Sequence, residues 1–336
     1  MYRYRYVFYA ILFTCFFFSL ISAIYFFTKT LHSNVSLNKH SSSKKADYHF
    51  ILIPEEEDNP YWELIEKGAK DAGRKFHVEV EYIGPVQTNV NEQIKAIEKA
   101  IASKVDGIIT QGIDNPAFSK VVNQAENEGI PVITIDTDAP DSDRSAYIGS
   151  NNYRAGYLAG KTLIKDTKGQ AVVGIITGNH NENEVLRVKG FKKAVENTPK
   201  IKIAAVKSSN ISRIQAAEKT YEIYQHYPNV TAFYGTSALD GLGISAVTEQ
   251  FGKSKDIYIL AFDTLPETMS LIKKGSIQAA IQQQPYTMGR DSIKTMVKLL
   301  NHQNTSKSIF TKISVIHKGD LFSESSNKYK KASDYD

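Results

Sequence analysis

The chain contains 336 residues, a length typical of about two domains, and its 42% hydrophobic and 23% charged residues are the balance of a folded protein rather than a disordered one. Its single cysteine, Cys15, excludes an intrachain disulfide and a cysteine-rich metal centre. Residues 1–46 carry six Lys or Arg and no Asp or Glu, which leaves 35 basic and 36 acidic residues in the rest. A body this close to neutral lacks the positive surface that nucleic-acid binding requires.

The N-terminal segment contains an uncharged apolar run over residues 7–27. A helix of this length spans about 30 Å, the thickness of a bilayer's hydrocarbon core. Arg3 and Arg5 precede the run, as in the charged start of a secretory signal, but the run is longer than a signal core and no small-x-small cleavage site follows it. We therefore predict that residues 1–27 are an uncleaved single-span membrane anchor with the body outside the cytoplasm. Secretion after signal cleavage is the alternative.

Cys15 raises a third possibility, a lipoprotein signal, but Phe13 and Thr14 before it fit that signal poorly and the apolar run continues past it. Residues 28–46 are rich in Ser, Asn, Lys and His and predict a flexible tether. Because lysines also follow the apolar run, the Lys/Arg distribution does not decide which end of the span is cytoplasmic. Residues 321–336 are predicted to be a polar tail.

From residue 48 onward, short apolar segments alternate with amphipathic stretches of helical periodicity. The first helix has a recognisable start, with Asn59 as N-cap and Pro60 at the first helical position. Such alternation predicts an α/β protein with doubly wound parallel sheets, and about ten strands are too many for one sheet of this length, so we expect two lobes. The predicted strands are residues 49–54, 77–83, 107–111, 131–136, 147–150, 171–177, 201–207, 232–235, 257–263 and 277–283.

Polar side chains follow many of these strands, at the sheet edge where open parallel sheets bind ligands. Asp136 and Asp263 each end a strongly apolar strand, and a carboxylate there can accept paired hydrogen bonds from hydroxyl groups. Arg187 supplies a planar fork of donors, and Gln283 supplies both a donor and an acceptor. This set is typical of a site that binds a polyol.

Two adjacent aromatic residues, Tyr61 and Trp62, stand at the start of the first predicted helix. They are either core residues or a platform on which a sugar ring stacks, since aromatic faces suit the C–H faces of sugars. Both interpretations are compatible with the sequence.

Enzyme motifs are absent or weak. The sequence has no phosphate-binding loop and no G-x-S-x-G nucleophile turn, and Gly241–Gly243 lacks the third glycine of a dinucleotide site. His180 lies in a polar loop, which is more typical of a solvated histidine than of a catalytic one. The acidic run Glu55–Asp58 could bind a cation but is more typical of a solvated surface. We predict no enzymatic activity, no cofactor and no metal site.

Several stretches occur in the order found in type I periplasmic sugar-binding proteins: DNPYW (58–62), PVITID (131–136), RVKGF (187–191), residues 232–243, AFDTLP (261–266) and IQQQP (281–285). Over residues 49–289 the chain therefore resembles this family, the ribose- and galactose-binding proteins that serve ABC transporters. The resemblance implies two α/β lobes joined by a three-strand hinge and closing on a ligand. It places the N-terminal lobe at residues 47–150 plus 284–310, and the C-terminal lobe at residues 151–283 plus 311–320.

Carried over residue by residue, the family's ligand positions draw on both lobes and fall on Asn59, Tyr61, Trp62, Asp136, Arg187, Ser237, Asp263 and Gln283. The chain also departs from the family pattern. Thr137 stands where the ribose-type pattern has Arg, Ile211 replaces an aromatic residue, and Thr236-Ser237 replaces an Asn-Asp pair. These departures imply a sugar-like pocket with fewer hydrogen bonds than the ribose pattern provides.

The implied function is capture of a sugar or sugar-like ligand by an extracytoplasmic, membrane-tethered binding protein that serves an ABC permease. One alternative is a ligand-sensing partner of a membrane sensor kinase. Sugar-responsive transcriptional repressors share this ligand-binding body, but they carry a helix-turn-helix where this chain has residues 7–27, which are too apolar for a DNA-binding head. We therefore predict a membrane contact through residues 7–27 and no nucleic-acid partner.

Overall fold

The computed structural model of the chain describes residues 46–178 and 181–321, together with positions 13, 16, 17, 19 and 20. Apart from those five positions of the predicted anchor, residue 46 of the tether and residue 321 of the tail, the predicted anchor, tether and tail lie outside the described residues. Within the described part of the chain, no helix has the length and apolar character needed to cross a membrane.

The first sheet contains six parallel strands, because short apolar segments alternate along the chain with helices that cross back over the sheet. Its strands are β1 (Tyr48–Ile53), β2 (Val78–Tyr82), β3 (Gly107–Gln111), β4 (Val132–Asp136), β5 (Ala146–Gly149) and β11 (Ser308–Phe310), in the order β11-β5-β4-β3-β1-β2. Helices α1 (Pro60–Phe76) and α9 (Pro285–Leu300) pack on one face, and α2 (Val90–Ala102) and α3 (Pro116–Asn127) on the other.

The second sheet repeats this arrangement. Its strands are β6 (Ala171–Thr177), β7 (Ile201–Ser208), β8 (Ala232–Gly235), β9 (Tyr258–Phe262), β10 (Ala279–Gln282) and β12 (Ser314–His317), in the order β12-β10-β9-β8-β6-β7, with β12 antiparallel to β10. Helices α4 (Asn152–Asp166) and α5 (Glu182–Val195) cover one face, and α6 (Arg213–His226), α7 (Asp240–Gln250) and α8 (Pro266–Lys274) cover the other.

The chain passes between the two sheets at three places: after β5, after β10, and between β11 and β12. We call the first sheet with α1–α3 and α9 the first lobe, and the second sheet with α4–α8 the second lobe. The prediction of an α/β protein with two parallel-sheet lobes is confirmed.

All ten predicted strands are present, with ends shifted by at most two residues. Strands β11 and β12 were not predicted as strands. They contain only three and four residues, and neither has a fully buried side chain. Such short half-exposed segments lack the apolar run from which strands are predicted.

Glycines allow helices α4 and α5 to approach backbone to backbone. A Cβ atom at Gly156 would lie 1.9 Å from the carbonyl oxygen of Arg187, and one at Gly190 would lie 2.0 Å from that of Tyr153. Gly68 and Gly289 do the same for α1 and α9 in the first lobe. The Gly156 contact therefore sets the position of Arg187 on α5.

We expect Gly156→Ala to lower the free energy of unfolding by about 1–3 kcal/mol or more, because the two helix backbones must separate to admit the methyl group. Thermal denaturation followed by circular dichroism would measure the loss. Gly319→Ala is the matched control, since its Cβ would meet nothing within 4 Å and should change stability by less than about 0.5 kcal/mol. Equal stability of Gly156→Ala and the parent chain would contradict the close helix contact.

Candidate functional site

One cavity between the lobes is lined by all of the predicted ligand positions: Asn59, Tyr61, Trp62, Asp136, Arg187, Ser237, Asp263 and Gln283. Its volume is about 40 Å³. That is far below the roughly 300 Å³ of a typical small-molecule pocket, because polar side chains bond to one another across it. A ligand of sugar size therefore requires these side chains, or the lobes, to move apart.

The two strand-end carboxylates share an unusual backbone conformation. Asp136 has a φ of 66° and Asp263 a φ of 64°, the left-handed region that Asp tolerates better than most residues. The Thr137 N–H donates to the carbonyl of Ile135 at 2.8 Å, so Asp136 is the centre of a three-residue turn. This tight turn ends β4, and both carboxylates are 5% exposed at the cavity.

Asn59 positions the aromatic pair by capping helix α1. Its Oδ1 accepts the Tyr61 N–H at 3.0 Å, and Pro60 occupies the first turn as predicted. The rings of Tyr61 and Trp62 meet edge to face at 6.1 Å and are almost fully buried. They belong to the hydrophobic core of the first lobe, as the first interpretation expects, and they also line the cavity. The stacking of a sugar ring on them stays a prediction.

Tyr61 and Asp136 form the shortest polar contact of the first lobe's cavity wall, with the phenol donating to Oδ1 at 2.6 Å. Burial raises the pKa of Tyr61, and the carboxylates of Asp136 and Asp263 raise it further. The phenol therefore stays protonated and acts as a donor to Asp136.

Side chains at the start of helix α5 join the two lobes. Asn183 donates from Nδ2 to Asp136 Oδ2 at 3.3 Å, and Asn181 donates from Nδ2 to Glu55 Oε1 at 3.0 Å. Glu55 also accepts from Gln111 Nε2 at 3.0 Å within the first lobe. These bonds cross the cavity and its rim, and they hold the lobes in the closed arrangement.

Arg187 on α5 is the cationic centre of the site and is 2% exposed. Its guanidinium stacks 3.9 Å above the ring of Phe262, and its Nη1 donates to Glu184 Oε1 at 2.8 Å and to the Thr236 carbonyl at 2.9 Å. Nε donates to Asn152 Oδ1 at 2.9 Å. Although burial opposes its charge, neighbouring carboxylates led by Glu184 raise the pKa of Arg187, so it remains a cation.

Gln283 connects the cation to the second carboxylate. Its Oε1 accepts from Arg187 Nη2 at 3.4 Å, and its Nε2 donates to Asp263 Oδ1 at 3.0 Å. Burial raises the pKa of Asp263 to about 7, against the opposing effects of Arg187 and the Gln283 hydrogen bond. Asp263 therefore changes its charge near neutral pH.

Two buried acids were not predicted: Glu184, which lines the cavity, and Asp240, which bonds to the lining residue Ser237. Glu184 holds Arg187 and accepts hydrogen bonds from the Thr236 hydroxyl and from the Gly178 N–H at 3.2 Å. Asp240 caps the turn before α7, accepting from the N–H groups of Thr236 at 3.1 Å and Ser237 at 2.8 Å. The hydroxyl of Ser237 lines the cavity and has no hydrogen-bond partner among the described residues.

Other cavity residues that were not predicted as ligand positions are Glu55, Asn183, Ile211 and Ala238. The expectation that the acidic run Glu55–Asp58 forms a solvated surface is wrong for Glu55, which is 7% exposed because Gln111 and Asn181 satisfy its oxygens. Among the described residues, no group of three or more His, Cys, Asp or Glu side chains is arranged to hold a metal ion.

The substitution Asp240→Asn tests whether the pKa of the buried Asp240 carboxyl is raised. Burial raises the pKa of Asp240 to about 7, with Glu184 adding to the effect, so the folded protein binds more protons than the unfolded chain between about pH 4 and 7. The stability that this proton uptake supports is fully present below pH 4 and is lost as pH rises through 7. Asparagine keeps the acceptor for the two N–H groups and can donate to Ser209 Oγ, which now donates to Asp240 at 2.5 Å.

We expect the variant to gain stability relative to the parent chain by up to about 1.4 kcal/mol per pH unit between pH 4 and 7, and the gain to level off above pH 7. Urea denaturation at pH 4, 5, 6, 7 and 8 would measure the difference. A difference that does not depend on pH would show that Asp240 titrates normally.

Comparison with known proteins places the chain in a family. Residues 50–304 match the family model of the periplasmic binding protein domain. The chain belongs to the periplasmic binding protein family. GanP, described as a glucose-galactose binding protein from Geobacillus stearothermophilus, is 50% identical, with a TM-score of 0.79 over 83% of this chain and 99% of GanP.

Two further proteins are similar to this binding protein. In the crystal structure of the XylFII–LytSN complex, a chain is 32% identical, with a TM-score of 0.77 over 81% of this chain and 98% of that one. The ribose import binding protein RbsB of Bacillus subtilis (strain 168) is 24% identical over 272 residues, which are 80% of this chain and 87% of RbsB. The resemblance to sugar-binding proteins of ABC transporters is thus confirmed.

Proposed function

We propose that this binding protein is an extracytoplasmic receptor that captures a hexose, D-glucose or D-galactose, in the cavity between its lobes. The observation that carries the proposal is the convergence of Asp136 and Asp263, from the ends of two different sheets, on one buried cavity that also contains Arg187. Two carboxylates, a guanidinium and an amide are acceptors and donors suited to a ring of hydroxyl groups.

The side chains that now bond to one another provide the same atoms to a sugar. Hydroxyl groups of the ligand would replace Tyr61 at Asp136 and Gln283 at Asp263, and the rings of Tyr61 and Trp62 would contact a C–H face. Because the carboxylates come from different lobes, a ligand that bridges them favours the closed state.

The choice of a hexose rests on the 50% identity to GanP, which is described as a glucose-galactose binding protein. The ribose-type arginine after the first strand-end aspartate is Thr137 in this chain, and its hydroxyl bonds to Asp136 at 3.3 Å. This position therefore provides no guanidinium to a sugar hydroxyl, unlike the ribose-type pattern.

The proposed place of action is the outer face of the cell membrane, with residues 7–27 as anchor and residues 28–46 as tether. The partner is proposed to be an ABC permease, because the relative RbsB is named a ribose import binding protein. A second candidate is a membrane sensor kinase that reads the closed receptor. The relative XylFII favours it, because that protein was solved in complex with LytSN.

A thermal-shift screen of the full-length chain in detergent tests the ligand. D-glucose, D-galactose, D-ribose, D-arabinose, D-xylose and D-allose form the panel. At about one hundred times its Kd, a true ligand adds roughly 2.7 kcal/mol to the free energy of unfolding. We expect glucose or galactose to give the largest shift, with calorimetry confirming one site per chain. A folded protein that responds to none of these sugars would contradict the proposal.

Deletion of the gene separates the two partner candidates. Loss of uptake of the bound sugar supports the permease. Unchanged uptake with loss of the transcriptional response to that sugar supports the sensor kinase.

A further inference from the structure

A second cavity, of about 210 Å³, lies between the lobes beside the first. The first lobe lines it with residues of β5, β11 and the loop after β4, and the second lobe lines it with residues of α4 and α5. It is therefore formed by closure, as the sugar cavity is, and ligand in it would contact both lobes.

Asn183 lines both cavities. Its Nδ2 lies 3.3 Å from Asp136 Oδ2, beyond the 2.7–3.2 Å range of ordinary N–H···O bonds. When a sugar hydroxyl takes over Asp136, this long contact is easily given up. Asn183 is the residue that has to move if the two cavities are to connect.

Aromatic rings form part of the second cavity. Phe310 on β11 is 57% exposed although it packs edge to face on Tyr147, with ring centroids 6.1 Å apart. Tyr153 on α4, from the other lobe, is 37% exposed. Exposed aromatic faces on both sides of a polar cleft suit the C–H faces of a sugar ring.

Polar groups without partners line the same cavity. The Ser150 side chain is 2% exposed, and its Oγ has no hydrogen-bond partner among the described residues. The Asn151 Oδ1 accepts the Arg154 N–H at 2.9 Å in capping α4, which leaves its Nδ2 as a donor. Since a buried unpaired hydroxyl costs folding free energy, a ligand rich in hydroxyl groups would stabilise this wall.

We propose that the second cavity is a carbohydrate subsite, so that the chain takes a disaccharide or another glycoside whose terminal hexose occupies the first cavity. The second ring would lie between Phe310 and Tyr153 and would hydrogen bond to Ser150. This inference rests on the proposed function of the first cavity.

Calorimetry on the full-length chain in detergent tests it, with D-glucose and D-galactose compared with cellobiose, maltose, lactose and galactobiose. We expect at least one disaccharide to bind as tightly as its terminal monosaccharide or more tightly. Ser150→Ala and Phe310→Ala are each expected to weaken that disaccharide about tenfold and to leave the monosaccharide within twofold. Ser245→Ala is the matched control, because Ser245 Oγ is also buried without a partner but lines neither cavity.

The outcomes separate the two proposals. If a monosaccharide binds and every disaccharide is more than a hundredfold weaker, the second subsite is wrong and the proposed function stands. A disaccharide whose affinity is unchanged by both Ser150→Ala and Phe310→Ala would also overturn the subsite. If no mono- or disaccharide binds, both proposals fail. Thermal denaturation of each variant without ligand shows whether an affinity loss comes from misfolding.

Discussion

Arg187→Met is expected to lower the free energy of unfolding by about 3–5 kcal/mol, because it leaves the buried carboxylate of Glu184 without its cation. Both side chains of this ion pair are at most 3% exposed, so water cannot replace the lost partner. Methionine fills much of the arginine volume, which limits the contribution from a cavity over Phe262. Urea denaturation at pH 7 would measure the loss, and sugar binding should disappear with it.

A double variant separates the unpaired charge from lost packing. Glu184→Gln removes the charge and keeps an acceptor for the Thr236 hydroxyl, so Glu184→Gln/Arg187→Met should regain most of the stability lost in Arg187→Met. It should not regain sugar affinity, because the guanidinium is still missing. A double variant as unstable as the single one would mean that packing, not charge, is what Arg187 contributes.

Loss of either strand-end carboxylate is expected to weaken hexose binding at least a hundredfold. A hydrogen bond to a charged group contributes about 1.5–3 kcal/mol, and a carboxylate that accepts two of them from a sugar contributes enough for that loss. Asp136→Ala and Asp263→Ala test the two lobes separately by calorimetry. Asp256→Ala, an exposed carboxylate paired with Lys253, is the control and should bind like the parent chain. Full affinity in Asp263→Ala would contradict a ligand that bridges the lobes.

The Asp263 carboxylate also makes hexose binding depend on pH. Because the pKa of Asp263 lies at about 7, hydroxyl donors bind best to the ionised form that dominates above that value. We expect affinity to rise by up to tenfold per unit between pH 5 and 7 and then to level off, with protons released on binding. Calorimetry in buffers of different ionisation enthalpy measures this release. Asp263→Asn, which cannot ionise, should show no such release from this site.

The strands and the polar residues after them could be predicted because each is encoded locally. An apolar run such as Ile257–Phe262 predicts a strand, and an Asp directly after it predicts a polar strand end. Asn183, Glu184 and Asp240 could not be singled out, since they lie on helices where polar and charged residues usually face solvent. Their burial depends on contacts with residues far away in the sequence, which are Asp136, Thr236 and Ser209 respectively.

Glu55 shows the same limit for a residue that was predicted to be solvated. Four consecutive acidic residues are typical of a solvated loop, and Asp58 is indeed exposed. Glu55 is buried only because Gln111 and Asn181, 56 and 126 residues away, provide donors to it. No window of neighbouring residues contains that information.

The three passages of the chain between the sheets bear on the order in which the protein can fold during synthesis. Strand β5 pairs on its outer side with β11, and helix α1 is covered by α9, so the first lobe needs residues made after all of the second lobe except β12. Neither lobe can be completed while the ribosome is still producing the C-terminal segment. Contacts this distant in sequence slow folding. We expect a chain truncated after residue 284 to leave both lobes unfolded rather than one of them.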